Sequence, residues 1–308
     1  MASPAAIWSL AFLLFATLFA LSAVGAYWIW QRWRRKRRRF PFGRSVRLLR
    51  QAGEGLASRM RQLEDRIVMT VMGGISLPYF TACGVVLLAV AASKRGLSLS
   101  PGAIIGLAVV AGLSGIGIAV SRLLRLLREL SDCHVGYCGE RLVAEKLRPL
   151  ERSGWIVLHD VPMTGRSGSF NIDHVAIGPA GVFAVETKTP RKFVGTSEAG
   201  HFIDFDGQHL RWPDGRCDSA DVRATLDRAR DLGEWLKRRT GESIPVKPIL
   251  VYPEWYVHEC KPPSERIRVL APSFLFRAIY SRGRRDLTAA QIRACAVQVA
   301  GLCRTVEV

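Results

Sequence analysis

Alternating apolar and polar positions in residues 171–188 predict a β-hairpin, because side chains two apart in a strand share one face of a sheet. If the turn pairs Ile177 with Val182, the antiparallel register places Asp173 opposite Glu186 on one face. Two carboxylates on directly opposite residues of paired strands are close enough to share one divalent ion. The predicted strands are residues 171–177 and 182–188, and residues 178–181 form the turn.

Two acids and Lys188 on the half-buried face of an apolar hairpin require a partner, because unpaired buried charge costs several kcal/mol or shifts its pKa. A Mg²⁺ ion would supply one, since it binds one or two carboxylates and keeps water and phosphate as its other ligands. Lys188 could then orient the attacking water or neutralise a scissile phosphate. The alternative is that Glu186 and Lys188 form a solvated ion pair on an exposed strand face.

Three long apolar runs in the first 130 residues predict membrane-spanning helices, since each is long enough to cross about 30 Å of hydrocarbon. The last two form a helical hairpin, because only eight residues separate them. A cleaved signal peptide is the alternative for the first run, but a dense basic block follows it and favours a retained anchor. The runs are Ile7–Trp30, Val71–Ala92 and Pro101–Val120.

Basic residues concentrate beside these runs: residues 1–130 contain 18 Lys and Arg against 4 Asp and Glu, whereas residues 131–308 contain 26 against 22. The positive-inside rule places the Arg-rich segment from Gln31 to Arg66 in the cytoplasm, with the amino terminus outside. We therefore expect an integral protein of a bacterial inner membrane, whose basic segment attracts anionic lipid headgroups. A nuclear-localisation or DNA-binding role for residues 34–39 is the less favoured alternative.

The segment Phe40–Arg66 has an apolar side and many arginines, which predicts a basic amphipathic helix. This helix could lie on the inner leaflet. It could equally pack on a neighbouring helix that continues from Arg122 into the following domain.

A further acidic residue lies upstream of the hairpin, in a segment that predicts a helix beginning near Gly136. Glu140 shares a stripe with Val143, Ala144 and Leu147, so its carboxyl points toward the core that these residues fill. Glu145 lies off the stripe, and we expect it to be solvated.

The order of these motifs resembles NERD, the nuclease-related domain, which is a branch of the PD-(D/E)XK nuclease superfamily. The resemblance covers roughly residues 136–269, and it rests on the combination and order of short motifs rather than on any one of them. The motifs are Gly136-x-x-Gly139-Glu140, Gly154-Trp155, Ile172-Asp173-His174, Gly178-Pro179-x-Gly181-Val182 and Glu186-Thr187-Lys188.

The resemblance implies an α/β domain with a mixed sheet flanked by helices and a restriction-endonuclease-like core. It also implies that Asp173 and Glu186 bind Mg²⁺ or Mn²⁺, that Lys188 is catalytic and that Glu140 is an accessory acid. The implied substrate is nucleic acid. The family pattern leads us to expect a glutamine near the start of the helix after the hairpin, but residues 221–236 contain none; Asp227 or Arg228 could occupy that space.

Further strands and helices are predicted downstream, so that an α-helical membrane region precedes an α/β domain. The predicted elements are a helix at 223–239, strands at 247–252 and 267–270, a helix at 272–281, and a last helix that begins with a capping box at Thr288–Gln291. The predicted parts of the chain are a first membrane helix (1–31), a basic cytoplasmic segment (32–66), a two-helix hairpin (67–130) and the NERD domain with its C-terminal helices (131–308).

Other residue types add little chemistry. The seven cysteines form no C-x-x-C pair, which is typical of a reducing compartment and argues against a disulfide framework or a zinc ribbon. His174 should face away from Asp173 as a packed or hydrogen-bonded core histidine. Five basic residues flank the predicted site and could contact phosphates or be solvated loop charges: Arg166, Arg191, Lys192, Arg211 and Arg216.

These patterns support three functional hypotheses. The first is a membrane-anchored, metal-dependent nuclease that acts on cytoplasmic DNA or RNA. The second is a catalytically inactive, membrane-tethered module that binds nucleic acid or serves as a scaffold. The third, a transporter or channel accessory, is the least favoured, because no charged residue lies within any apolar run to mark an ion or substrate path.

Overall fold

A computed structural model describes residues 25, 27–28, 30–31, 47–93, 95–96, 100–166, 168–192, 201–260, 263–280 and 286–307. The predicted first span, apart from a few residues at its end, and the basic block at 32–39 lie outside the described residues. The helices are α1 (Glu54–Ser93), α2 (Pro101–Arg152), α3 (Ala220–Thr240), α4 (Leu275–Ile279) and α5 (Ala289–Cys303). The strands are β1 (Arg47–Leu49), β2 (Ile156–Gly165), β3 (Gly168–Gly178), β4 (Gly181–Thr187), β5 (Phe202–Phe205), β6 (Leu210–Arg211), β7 (Cys217–Asp218), β8 (Val246–Val251), β9 (Tyr256–Glu259), β10 (Arg268–Leu270) and β11 (Arg304–Glu307).

The chain divides into two compact units, of which the first comprises residues 1–41 and 60–131. It contains most of α1 and the first part of α2, two helices that are long and apolar enough to cross a membrane by length and composition alone. Many of their apolar side chains between Val68 and Leu127 are exposed, with Leu88 at 72% and Leu113 at 62%. The two helices approach closely at Gly74, where a Cβ would lie 2.9 Å from the Cβ of Ala119. Small residues allow such close packing between membrane helices.

Two predicted helix boundaries are wrong. The helix that was expected to begin near Gly136 is the last part of α2, which runs from Pro101 to Arg152 without a break. A glycine inside a helix costs only about 1 kcal/mol, so Gly136 does not end it. The helix expected at 40–66 begins only at Glu54, because Gly53 has a φ of 78° and the preceding β1 pairs with β11 instead.

The second unit comprises residues 42–59 and 132–308, and its main sheet has the strand order β10-β8-β4-β3-β2. Strands β2, β3 and β4 are antiparallel, whereas β8 is parallel to both β4 and β10. The predicted hairpin register is confirmed, since Ile177 pairs with Val182. Gly178 and Gly181 also pair, which leaves a two-residue turn at Pro179–Ala180.

Helices cover both faces of this sheet, as alternation of side chains along β3 and β4 requires. One face presents Val175, Ile177 and Val182 to a core that includes Leu232 of α3 and Val299 of α5. The opposite face presents Ala176, Phe183 and Val185 to residues of α2, among them Val143 and Leu147. The prediction of an α/β domain with a mixed sheet flanked by helices is therefore confirmed.

A second, four-stranded sheet has the order β7-β6-β5-β9 and was not predicted from the sequence. Its buried side forms a third core with Phe205, Trp212, Tyr252 and Trp255. The predicted capping box at the start of α5 is confirmed: the Thr288 hydroxyl accepts from the Gln291 backbone N–H, and the Gln291 side chain accepts from the Thr288 N–H.

Replacing Gly178 with alanine should destabilise the second unit, because the new Cβ would overlap the indole ring of Trp155. We expect a loss of about 1–3 kcal/mol in the free energy of unfolding, measured by chemical denaturation of the full-length chain. Gly301→Ala is the matched control, since nothing lies within 4 Å of a Cβ there and alanine favours a helix. Equal stability of the two variants would contradict this packing.

Candidate active site at the open end of the hairpin

Asp173 and Glu186 lie beside each other on neighbouring strands, one step beyond the last ladder pair, His174 with Val185. Both side chains are on the α3 side of the sheet, where alternation from Val175 places Asp173. Asp173 Oδ2 accepts a hydrogen bond of 2.7 Å from the backbone N–H of Thr187. Hydrogen-bonding thus fixes one oxygen of Asp173.

Burial makes both carboxyl groups weaker acids than usual. The Glu186 side chain is fully buried, and this burial, followed by the charge of Asp173, holds its pKa well above the ordinary value. Burial also raises the pKa of Asp173 to about 6, although the Thr187 N–H and Lys188 favour its charged form. Glu186 Oε1 is buried and has no hydrogen-bond partner within the described residues.

Lys188 follows directly after β4, and its backbone N–H donates to the carbonyl of Val251 over 2.9 Å. Its positive charge opposes the rise in pKa that burial causes at Asp173, Glu186 and Glu140, but it does not cancel that rise. Lys188 therefore acts electrostatically on all three predicted acids.

Glu140 reaches this group from the buried side of α2. Burial raises its pKa to about 8, and the negative charges of Asp173 and Asp160 add to that effect. The neighbouring Gly139 permits the approach of the helix, because a Cβ there would overlap the side chain of Thr189. Glu140 therefore lies close enough to Asp173 and Lys188 for their charges to shift its pKa.

Of the two α3 residues that the sequence offered near the site, Asp227 and Arg228, it is Arg228 that contacts Glu186. Its Nη1 donates to Glu186 Oε2, and its guanidinium lies over the ring of Phe170, 5.6 Å from the centroid. Asp227 is instead exposed and accepts from Arg230 over 2.6 Å. The α3 residue at the site is therefore a cation.

The sequence analysis missed Asp160, which lies opposite Asp173 on β2. Its neighbours pair in register on both sides, His159 with His174 and Val161 with Ile172, but Asp160 has a φ of 47° and no ladder partner.

Asp160 is 4% exposed and fully hydrogen-bonded. It accepts from Arg50 Nη2 at 2.6 Å, from the Gly55 N–H at 2.7 Å and from Asn171 Nδ2 at 2.6 Å. It therefore joins the segment around residues 50–55 to β2 rather than offering a free carboxylate to a ligand. Only the pairing of β2 with β3 could have revealed it.

His174 is a packed core histidine, as predicted. It is fully buried, and its Nδ1 lies 2.8 Å from Nδ1 of His159, which the sequence had left uninterpreted. Burial lowers the pKa of both rings, that of His159 to about 4, so the pair is neutral at physiological pH.

Four of the five predicted phosphate contacts are engaged in ion pairs with acids. Only Lys192 forms no ion pair within the described part of the chain. The pairs are Arg166 with Glu234, Arg191 with Asp132, Arg211 with Asp206, and Arg216 with Asp214.

The donor set suits a hard divalent cation. No group of three or more His, Cys, Asp or Glu residues with metal-binding geometry lies in the described residues. However, Mg²⁺ commonly uses one or two carboxylates and completes its shell with water and substrate phosphate. The buried Oε1 of Glu186, which has no hydrogen-bond partner among the described residues, and the neighbouring Asp173 provide such a pair.

The raised pKa of Glu140 predicts that stability falls as pH rises from about 4.5 to about 8, because the folded chain then binds more protons than the unfolded chain; the test uses the upper part of this range, from about pH 6.5 to 8. The lowered pKa values of His159 and His174 act in the opposite direction, but only below about pH 6.5. Glu140→Gln should make the unfolding midpoint less sensitive to pH in this window. The exposed Glu145→Gln is the control on the same helix, and an equal pH dependence in both variants would contradict the assignment.

A buried carboxylate cluster on a mixed α/β sheet characterises the second unit, and comparison with known proteins gives its class. Residues 135–253 match the family model of NERD, the nuclease-related domain. The chain therefore carries a NERD nuclease-related domain over these residues. No curated protein sequence matches the chain.

Two solved structures are similar to parts of the chain. The alignment with the protein of unknown function AF1548 covers 50% of this chain and 79% of AF1548, with 13% identity and a TM-score of 0.25. Pyrococcus furiosus SfsA, solved in complex with Ca²⁺, covers 57% of this chain, with 14% identity and a TM-score of 0.19. This chain spans 54% of SfsA, or about half of its length.

Proposed function

We propose that this protein is a membrane-anchored, metal-dependent nuclease that hydrolyses phosphodiester bonds of DNA or RNA. The observation that carries the proposal is the group of Asp173, Glu186, Glu140 and Lys188 near the open end of the hairpin, in which Glu186 Oε1 is buried and has no hydrogen-bond partner in the described part of the chain. The nuclease-related domain over residues 135–253 supports it. We further propose that the mixed sheet is a restriction-endonuclease-like core of the PD-(D/E)XK type.

Asp173 and Glu186 would hold Mg²⁺ or Mn²⁺, which supplies a Lewis acid and lowers the pKa of bound water. Lys188 would stabilise the negative charge that develops on the scissile phosphate, or orient the attacking water. Glu140, whose pKa is raised to about 8, would position these groups. It could accept a proton only when its own carboxyl is ionised. Glu186 must release Arg228 for its second oxygen to bind a cation.

We also propose that the protein is anchored in a bacterial inner membrane with the nuclease domain in the cytoplasm. The two long apolar helices support an anchor, and the basic residues after the first apolar run support this orientation. The same basic residues would contact anionic lipid headgroups.

A cleavage assay tests the proposed activity. The full-length protein in detergent is incubated with labelled linear, circular and single-stranded DNA and with RNA, in the presence of Mg²⁺, Mn²⁺ or EDTA. We expect cleavage of at least one substrate with metal and none with EDTA. Failure of folded protein to cleave any substrate would contradict a nuclease and favour a catalytically inactive nucleic-acid-binding or scaffold module. The pairing of Arg228 with Glu186 favours the same alternative, because it occupies one oxygen of a proposed metal ligand.

A further inference from the structure

An open groove of about 760 Å³ lies on the second unit, and its lining includes none of the four predicted site residues. Its walls come from α2, from the segment after β4, from β9 and from the short helical turn at Pro272–Phe274. The groove differs from the predicted site in its chemistry, because its lining consists mainly of rings and lysines and includes a single acid, Glu254. The lining residues used below are Lys146, Lys192, Phe202, Tyr256, His258 and Phe274.

Three rings are arranged as a stack on the exposed face of the second sheet. Phe202 on β5 pairs with Tyr256 on the parallel strand β9, and their ring centroids are 5.2 Å apart at an interplanar angle of 27°. His258, two residues further along β9, stacks on Phe202 at 4.7 Å and 28°. The Tyr256 side chain nevertheless remains 63% exposed, and Phe274 elsewhere in the lining is 59% exposed.

Such a surface requires an explanation, because single exposed apolar residues are ordinary but aligned exposed rings are not. Trp255, directly before β9, is buried in the third core, whereas the Tyr256 ring that follows it remains exposed on the groove side. Exposed aromatic side chains beside basic groups are the surfaces on which unpaired bases stack.

The charge of the groove suits a polyanion. Lys146 and Lys192 are both exposed, and neither forms an ion pair within the described residues, unlike the four arginines paired with acids. One acid, Glu254, lines the groove, and His258 Nδ1 contacts Asp204 at 3.0 Å. The lysines are thus the groups available to phosphates.

The groove also lies close to the predicted site along two elements. Lys146 is six residues beyond Glu140 on α2, or about 9 Å along the helix axis. Lys192 is four residues beyond Lys188, and the intervening Pro190 carbonyl accepts a 3.2 Å hydrogen bond from Trp255 Nε1. A chain in the groove could therefore extend toward the carboxylates.

We propose that this groove binds single-stranded nucleic acid, whose bases stack on Tyr256 and its neighbours while Lys146 and Lys192 contact the backbone. This inference rests on the proposed function and names its substrate class. A duplex is the disfavoured ligand, because its base faces are already stacked within the helix and cannot cover a protein ring.

Fluorescence anisotropy tests the groove without any cleavage, with full-length protein in detergent, EDTA and about 150 mM salt. The probes are a labelled DNA strand, an RNA strand of the same sequence and the DNA duplex. Tyr256→Ala should weaken single-strand binding at least about tenfold and leave duplex binding unchanged. Tyr256→Trp, which keeps a ring, should restore binding, and exposed Val297→Ala is the matched control.

The lysines are tested in the same assay. Lys146→Ala combined with Lys192→Ala should weaken single-strand binding and reduce its salt dependence, whereas Lys237→Ala, an exposed lysine on α3, should not. All variants keep the Arg-rich segment at 32–39, so its non-specific contribution is the same in each comparison.

The outcomes separate the groove from the nuclease. Tyr256-dependent strand binding in a protein that never cleaves would uphold the groove and contradict the proposed activity. Cleavage without such dependence would uphold the activity and overturn the groove, as would equal loss of duplex and single-strand binding in Tyr256→Ala. A preference between the DNA and RNA strands would identify which of the two the groove takes.

Discussion

Replacing Asp173 with asparagine is expected to slow Mg²⁺-dependent cleavage by about 10²–10³-fold, because the site loses a charged ligand for the cation. Asparagine has nearly the same shape and can still accept the 2.7 Å hydrogen bond from the Thr187 N–H through its side-chain oxygen. Removing a carboxylate whose pKa is raised by burial should not reduce the stability of the metal-free protein. The rate is measured under single-turnover conditions on the substrate that the wild-type protein cleaves.

Asp227→Asn is the matched control for this change. Asp227 is an exposed carboxylate on α3 that pairs with Arg230, so its replacement should leave the cleavage rate within about twofold. A similar rate in the Asp173 and Asp227 variants would mean that Asp173 takes no part in the reaction.

Replacing Arg228 with glutamine is expected to lower the free energy of unfolding of the metal-free protein by about 3 kcal/mol at alkaline pH. Arg228 is the ion-pair partner of Glu186, and its removal leaves a fully buried carboxylate. The loss should shrink as pH falls, because Glu186 then takes up a proton and no longer needs a cation. Mg²⁺ should stabilise the variant more than it stabilises the wild-type protein.

Denaturant unfolding at several pH values, with and without Mg²⁺, measures these effects. Arg230→Gln is the control on the same helix, since its surface ion pair with Asp227 contributes at most about 1 kcal/mol. If the Arg228 variant were as stable as this control at every pH, the Arg228–Glu186 pair would have no energetic role.

The hairpin and its acids could be predicted from the sequence because strand periodicity and turn length are local properties. Once Ile177 pairs with Val182, the positions of Asp173 and Glu186 follow without further information. The stripe that carries Glu140 is local in the same sense, since the helical period alone places its carboxyl toward the core.

The missed residues depend on contacts between distant parts of the chain. Asp160 lies next to Asp173 only through the pairing of β2 with β3, and its left-handed backbone has no sequence signature. Arg228 reaches Glu186 from a helix 42 residues further on. The strands of the second sheet have two to four residues each, too few to show a period.

The start of α1 and two glycines inside α2 show how tertiary contacts override local sequence pattern. The residues before Glu54 have a helical apolar pattern, but they pair as β1 with the last strand of the chain. Gly136 and Gly139 suggested a helix start, whereas they lie inside α2, where Gly139 leaves room for Thr189 beside the acids. Gly139 thus marks a close approach of α2 to the Thr189 side chain and not the start of a helix.

One comparison tests most directly whether the carboxylate–lysine group is a nuclease site. Wild-type and Lys188→Ala proteins, both full-length and purified in parallel, are incubated with the same labelled strand in Mg²⁺ and then in excess EDTA. We expect the wild-type protein to cleave only with Mg²⁺. The Lys188 variant should cleave at least about 10²-fold more slowly under the same conditions. Equal Mg²⁺-dependent rates would assign the activity to another site or to a contaminant, and would contradict the proposed function.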